Sequence, residues 1–525
     1  MIDKEFFYIS SENVSNIIES QEQRFYGYVF NEGSLFHYKK KLPDLSSLWK
    51  SYELNCGVFA AFFVNNDEIF IFTDPLSQYP VFFSENQGRF CITNDFYKAA
   101  SFSGRGINSE AIFDCLTYFS PLKNETIACS VKTISEYQYI RVSMKKGHAE
   151  FCIDTFEKDA MTTSSYNELM ELCLERMQHR AKAVLAEHKP VIHLTGGLDS
   201  RLSFAAFLSV SGGEGFSVFS FGDGKSADRF IFEKLVEKYR LETGSVVLSG
   251  GKPKTYNDLH FCAKAFNGLK YTNQTNYKVN WRPEHAEVTG YFSGGLIKGF
   301  GTYFKKGKFS PFEYARKVSA LPGFVFNSTA YRLYEELSSV VLKDKNYSAR
   351  FNYIYRNNRS KAHFGQHSAV NNKGHVSIDL LYDPLLVMLY EKCTIDEVYK
   401  NEGALILELI RGLGGDSLAF YPVADRVLPN YLGEDYSQYN DGFNCFNKLK
   451  FEAVNDLSKL NVLGDLYEKR DESDLISLDR YESFWKKYPF LHLCFLDGMK
   501  GPRTSVEKDA VISLMGVLDF LEESK

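Results

Sequence analysis

The residues with the clearest chemical pattern are Thr195-Gly196-Gly197-Leu198-Asp199-Ser200-Arg201. Two adjacent glycines let backbone N–H groups converge without side-chain obstruction, and the hydroxyls of Thr195 and Ser200 add donors beside them. Such a cluster at the start of a helix suits an anion. A bare phosphate would be repelled by Asp199, so its presence points to a Mg²⁺ ion between carboxylate and phosphates, with Arg201 as a further counter-charge. The plainer alternative is a strand-to-helix turn that needs glycine for its geometry alone.

These residues must be held by a strand and a helix. Val191-Ile192-His193-Leu194 has strand character, Lys189-Pro190 ends the helical pattern before it, and Leu202-Ser203-Phe204-Ala205-Ala206-Phe207-Leu208 has helical spacing after it. Ser165 with Glu168 forms a capping box for the preceding helix. Phe216 to Phe221 predicts a second strand and Ala227 to Tyr239 a second helix, with Asp228 read as its cap. Alternating buried strands and helices predict a doubly wound parallel sheet with its site at the strands' C-terminal edge. Gly224-Lys225-Ser226 ends like a Walker A loop, but Phe219 stands where the first glycine is required.

The chain before this is different. Gly57 to Val64 and Glu68 to Thr73, separated by Asn65-Asn66-Asp67, predict a hairpin, and Val81-Phe82-Phe83 and Gly88 to Thr93 add short strands. We therefore expect an α+β layered domain over 1–157 and an α/β domain with a helical C-terminal part over 158–525, the boundary lying in the polar stretch Met161-Thr162-Thr163-Ser164-Ser165.

At 525 residues with 44% hydrophobic content, the chain can bury a large core. A net charge of −5 gives no electrostatic footprint for nucleic acid. No apolar run approaches bilayer length, and Met1-Ile2-Asp3-Lys4-Glu5 does not open a signal peptide, so a cytoplasmic protein without membrane partners is expected. The ten cysteines form no C-x-x-C pair. His363 and His367 stand one helical turn apart but lack a third ligand, and read as a surface pair.

The Thr195–Ser200 segment resembles the SGGxDS pyrophosphate loop of the ATP-pyrophosphatase superfamily, with Thr195 in the first Ser position. Gly57-Val58-Phe59-Ala60, Asp74 to Phe83, Phe90 to Asp95 and Glu125 to Ile140 are similar in order and spacing to the N-terminal glutaminase domain of asparagine synthetases. The resemblance implies a degenerate glutaminase-like (Ntn-type) domain followed by an ATP-pyrophosphatase domain. Such glutaminases use a cysteine exposed after Met removal; this chain has Ile2, and Cys56 has no free amine, so glutamine hydrolysis is not expected.

The resemblance further implies ATP and Mg²⁺ as cofactors. Thr195, Gly196, Gly197, Ser200 and Arg201 would hold phosphates and Asp199 the metal, with adenine between Ile192–His193 and Phe219–Phe221 and with Gly290 in the facing loop. That loop runs from Val288 to Gly299, and the family's Asp–Glu pair is replaced by Gly294 and Gly295, so that another acid such as Asp223 completes the metal site, or Asp199, waters and the nucleotide hold Mg²⁺ alone, or activity has been lost. Tyr291 is similar to the tyrosine of the β-lactam and carbapenam synthetase branch, which deprotonates the attacking amine with help from a Glu, here Glu335 or Glu336. A phenol titrating near pH ~10 needs such a partner. Tyr291 as a packed aromatic beside Phe292 is the alternative. Asp383 matches the Asp of a segment that orders the site, and Lys448 and Lys450 stand where a late lysine would steady the acyl-adenylate.

The expected activity is that of an ATP-dependent, AMP-forming ligase joining a small-molecule carboxylate to ammonia or an amine. Intramolecular ring formation and a non-catalytic nucleotide-binding scaffold stay open, as does a homodimer.

Overall fold

A computed structural model describes residues 6–31, 33–104, 106–118, 120–157, 164–220, 227–243, 282–292, 323–339, 352–392 and 404–423, with short pieces at 430–431, 434–435 and Leu518. The protein is mixed α/β and is built on several sheets.

Ten antiparallel strands make up the first part: β1 Tyr8–Ser10, β2 Arg24–Asn31, β3 Ser34–His37, β4 Cys56–Asn65, β5 Glu68–Thr73, β6 Phe82–Asn86, β7 Arg89–Thr93, β8 Val131–Thr133, β9 Gln138–Lys145 and β10 His148–Thr155. One sheet has the order β10-β9-β5-β4-β2-β3 and the other β1-β7-β6-β8. They pack face to face, Phe7 on Phe62 and Phe83 and Phe90 on Phe151. The β4–β5 hairpin closes at Asn65↔Glu68 over Asn66 and Asp67, both left-handed with φ of 52° and 62°, as a two-residue turn of the primed type requires. The outer face of the larger sheet carries an aromatic layer in which Trp49 packs edge-on to Phe63, Phe70, Phe72 and Tyr139. Helix α1 (Ser109–Tyr118) lies between β7 and β8 in the chain.

The second part begins with α2 (Tyr166–Glu187), whose capping box is formed: Glu168 N–H donates to Ser165 Oγ at 3.3 Å and Ser165 N–H to Glu168 Oε2 at 2.7 Å. A five-stranded sheet follows in the order β13-β12-β11-β14-β15, from β11 Lys189–His193, β12 Ser217–Phe219, β13 Glu242–Thr243, β14 His285–Thr289 and β15 Val376–Asp379. Every neighbouring pair is parallel. Pro190 lies inside β11, opposite Ala286, so the strand starts earlier than the proline suggested. Between β11 and β12 runs α3 (Leu198–Ser211), and between β12 and β13 runs α4 (Ala227–Tyr239). The chain adds β12 and β13 on one side of β11 and then returns to add β14 and β15 on the other. The order therefore reverses between β11 and β14, which is where such sheets open a crevice at their C-terminal edge.

A buried polar seam joins the two parts. It involves α5 (Gly323–Ser339), a π-helical stretch (Arg356–Gly365) and the end of β15. Arg356 pairs with Glu136 at 2.5 Å, and Arg332 with Glu110 at 2.7 Å and Asp114 and Glu125 at 3.0 Å. The ammonium of Lys361 donates to the Ile134 carbonyl at 2.6 Å. Tyr28 Oη accepts from Asp379 N–H at 2.9 Å and donates to the Asp379 carbonyl at 3.0 Å. Gly365 fits against Gln78 so closely that a Cβ would lie 2.1 Å from its carbonyl oxygen.

Candidate active site

Val191 and Ile192 are buried in the centre of the sheet, and Leu194 N–H continues the ladder to the Phe219 carbonyl at 2.9 Å before the chain turns. The turn is tied together by its own hydroxyls. Ser200 Oγ accepts from Thr195 N–H at 3.0 Å and lies 3.1 Å from Thr195 Oγ1, which accepts from Gly197 N–H at 3.1 Å. Gly197 caps α3, whose first turn holds Asp199. Through these bonds Thr195 and Ser200 hold the loop's shape, and Ser200 is only 8% exposed.

Arg201 requires a correction. It is fully buried, and its guanidinium donates to the carbonyls of Gly196 (3.3 Å), Leu418 (3.4 Å), Tyr421 and Pro422 (2.8 Å). Burial pushes its pKa down to about 10. The side chain lies on the inward face of α3, so it fastens the loop to residues 418–422 and offers no counter-charge to a phosphate.

Asp228, read as a helix cap, has another role. Its Oδ1 accepts from Gly196 N–H at 2.9 Å, placing a carboxylate on the loop. The signal for this contact was the position of Asp228 in the first turn after the strand neighbouring β11.

Gly290 follows β14 and faces the same loop. A Cβ there would lie 2.6 Å from the Asp199 carbonyl oxygen, so only glycine permits this approach. Tyr291, next in the chain, has its Oη 3.5 Å from His193 Nδ1. Its ring is parallel to Phe364 at 6.0 Å and 6.3 Å from His367, whose ring meets His363 edge-on at 5.7 Å. The two histidines are thus half-buried in an aromatic cluster rather than a surface pair. Among the described residues no group of three or more His, Cys, Asp or Glu side chains could hold a metal ion.

The expected adenine slot is also different. The His193 ring stacks on Phe219 at 5.0 Å and 16°, closing the gap between them. Burial lowers the His193 pKa to about 4, so the imidazole is neutral at neutral pH. Neither carboxylate suggested for Tyr291 is directed to it: Glu335 pairs with Lys123 at 2.6 Å, while Glu336 accepts from Lys123 N–H at 3.1 Å and from Asn358 at 2.9 Å. Both belong to the seam, because α5 docks on α1.

Two aspartates support the site from behind. Asp379, which sequence reasoning missed, accepts from Phe292 N–H at 3.0 Å, Leu381 N–H at 2.9 Å and Thr289 Oγ1 at 3.3 Å, fixing the turn after β14. Burial raises its pKa to about 7 against these hydrogen bonds. Asp383 is fully buried with Arg176 at 3.2 Å and Arg180 beside it. Burial alone would raise its pKa, but the two guanidinium groups overcome that and hold it at about 2. Cys56 lies in the same cluster, its Sγ donating to the Tyr382 carbonyl at 2.8 Å, and burial pushes the thiol up to about 12. Such a thiol is no nucleophile. Phe221, Asp223, Gly294, Gly295, Lys448 and Lys450 lie outside the described residues.

Asp228 places a carboxylate oxygen on the glycine loop and Asp199 stands in the first turn of the helix that follows it, and carboxylate oxygens are ligands that suit Mg²⁺. A loop leading from a central parallel strand into a helix N-terminus suits phosphates.

No family model matches the chain, and none of the curated proteins matches it. Among solved structures, glutamine phosphoribosylpyrophosphate amidotransferase from B. subtilis, complexed with ADP and GMP, is 9% identical over 65% of this chain and 74% of its own. The TM-score is 0.16, too low to carry an argument.

Proposed function

We propose that the protein is an ATP-dependent, AMP-forming ligase, which activates a small-molecule carboxylate and transfers it to ammonia or an amine without hydrolysing glutamine. The observation that carries this reading is the meeting of two loops, Thr195–Ser200 and Gly290–Tyr291, at the point where strand order reverses, with Gly290 against the Asp199 backbone. In this reading the loop N–H groups of Gly196 and Gly197 exchange their present partners, Asp228 Oδ1 and Thr195 Oγ1, for the outgoing pyrophosphate and hold it in line with the α-phosphorus. Mg²⁺ would neutralise phosphate charge, and Asp199 and Asp228 would hold it. A carboxylate oxygen attacks the α-phosphorus and pyrophosphate leaves; the amine then attacks the acyl carbon and AMP leaves. Tyr291 would orient the amine, its hydroxyl lying 3.5 Å from Nδ1 of the neutral His193.

The buried, high-pKa thiol of Cys56 supports the absence of glutamine hydrolysis. Ammonia, a second amine or an amine within the substrate itself, which would close a ring, therefore serves as acceptor. The lysines at 448 and 450 are further candidates to steady the acyl-adenylate.

A second reading, a nucleotide-binding scaffold without turnover, draws on the hydrogen bonds from Gly196 to Asp228 and from Gly197 to Thr195 Oγ1, which already satisfy both glycine amides of the loop. The two are separated by incubating wild type and Asp199→Asn with ATP, Mg²⁺ and a small-molecule extract. AMP and pyrophosphate from wild type, reduced at least 100-fold in the variant, is the expected result; tight ATP binding without AMP would replace the ligase with the scaffold.

A further inference from the structure

The contact between Asp228 and Gly196 bears on which form of nucleotide the loop accepts, an inference that rests on the ATP-binding reading above. Gly196 N–H is a donor that a phosphate oxygen would use, and it donates to Asp228 Oδ1 at 2.9 Å. Asp228 is not free to drift away with its helix. Ile231 and Leu235 of α4 are fully buried and Phe232 nearly so, which fixes the helix and leaves only the side chain to move. The arginine nearest Gly196 in sequence and the one nearest Asp228 are both directed elsewhere. Arg201 donates to backbone carbonyls, and Arg229 donates to Glu233 at 3.0 Å and to the Ser220 carbonyl at 3.3 Å. Asp199 adds a second carboxylate in the first turn of α3.

A bare polyphosphate would have to displace the Asp228 carboxylate from the amide and come to rest beside it. Like charges held this close oppose binding, while a divalent cation turns the carboxylate from a repulsive neighbour into a ligand. We propose that Asp228 is a specificity-determining residue, which makes the loop accept the metal complex of the nucleotide and reject the free anion.

The test is ATP binding by equilibrium dialysis with EDTA and with Mg²⁺, for wild type, Asp228→Asn and Asp228→Ala. Thermal unfolding of each protein without nucleotide serves as a folding control. Asn keeps an acceptor for Gly196 without the charge, so it decides the matter if the alanine variant does not fold. Both variants should bind metal-free ATP roughly tenfold or more tightly than wild type, and their gain in affinity on adding Mg²⁺ should shrink by a similar factor. In wild type, ATP with Mg²⁺ should shift the Gly196 amide resonance, and the two substitutions should shift the same resonance without ligand. Metal-free affinities equal to or below that of wild type in folded variants would overturn the proposal while leaving AMP formation untouched. Binding of Mg²⁺–ATP by wild type without AMP release would remove the ligase reading and leave this comparison standing. No binding by any of the three proteins would overturn both.

Discussion

The aromatic layer around Trp49 and the polar seam between the two parts of the molecule are both well packed, yet they are stabilised in opposite ways. In the first, Phe59, Phe72 and Val29 are fully buried against rings and strands close by in sequence, and no partner needs to be charged. In the second, Arg356, Glu136, Asp114 and Arg332 are buried as ions or hydrogen-bonded groups whose partners lie over 200 residues away. Apolar burial is tolerant of what replaces it as long as volume is kept. A buried ion pair tolerates removal of both partners far better than removal of one.

That difference gives the largest expected effect. Arg356→Ala strands the Glu136 carboxylate and should cost about 3 to 5 kcal/mol, whereas Arg356→Met with Glu136→Leu should restore most of the loss. Phe72→Ala in the aromatic layer should cost about 3 kcal/mol, with no second substitution to rescue it. Urea unfolding of the four proteins checks both statements, and an unrescued double variant would show that the seam depends on charge itself.

The seam should also respond to pH where the aromatic layer does not. Asp74, close enough to feel the charge of Lys361 in the seam, and Asp379, at the end of β15, have folded-state pKa values raised to about 7 by burial, against an ordinary 3.8. Their protonated forms are favoured in the native state, so this contribution is full below pH 3.8 and is lost as pH rises through 7. Asp383, held at about 2, works the other way and loses its contribution as pH falls from 3.8 through 2. Asp379→Asn should therefore reduce the decline in unfolding free energy between pH 5 and pH 8, read from urea titrations, by about 2 kcal/mol. An unchanged slope would assign the decline to other groups.

The smallest effect is expected at the one polar contact that local sequence predicted. Ser165→Ala removes the N-terminal capping bond of α2 and should cost about 1 kcal/mol, measured in the same way.

What was legible in the sequence follows the same division. The Asn66-Asp67 turn, the Ser165–Glu168 box and the passage from β11 into α3 each depend on residues within a few positions of one another, and their patterns are local. Arg201 looked like a phosphate ligand because its partners, the carbonyls around Tyr421, are 220 residues away. Asp379 gave no signal because its carboxylate is bound by the turn after β14, 87 positions earlier, while Tyr28, 351 positions earlier, holds its backbone. Asp228 lies only 32 residues from Gly196, but joining them requires knowing that β11 and β12 are neighbours. The glycine loop was readable as a motif, while the direction in which its side chains point was not.

The seam also has a consequence for synthesis. Glu136 and Asp114 leave the ribosome about 220 residues ahead of Arg356 and Arg332. At roughly 5 to 20 residues per second, the face they belong to waits about 10 to 40 seconds for its partners. An apolar face exposed for that long would invite aggregation, whereas one lined with carboxylates stays hydrated until the complementary guanidinium groups arrive.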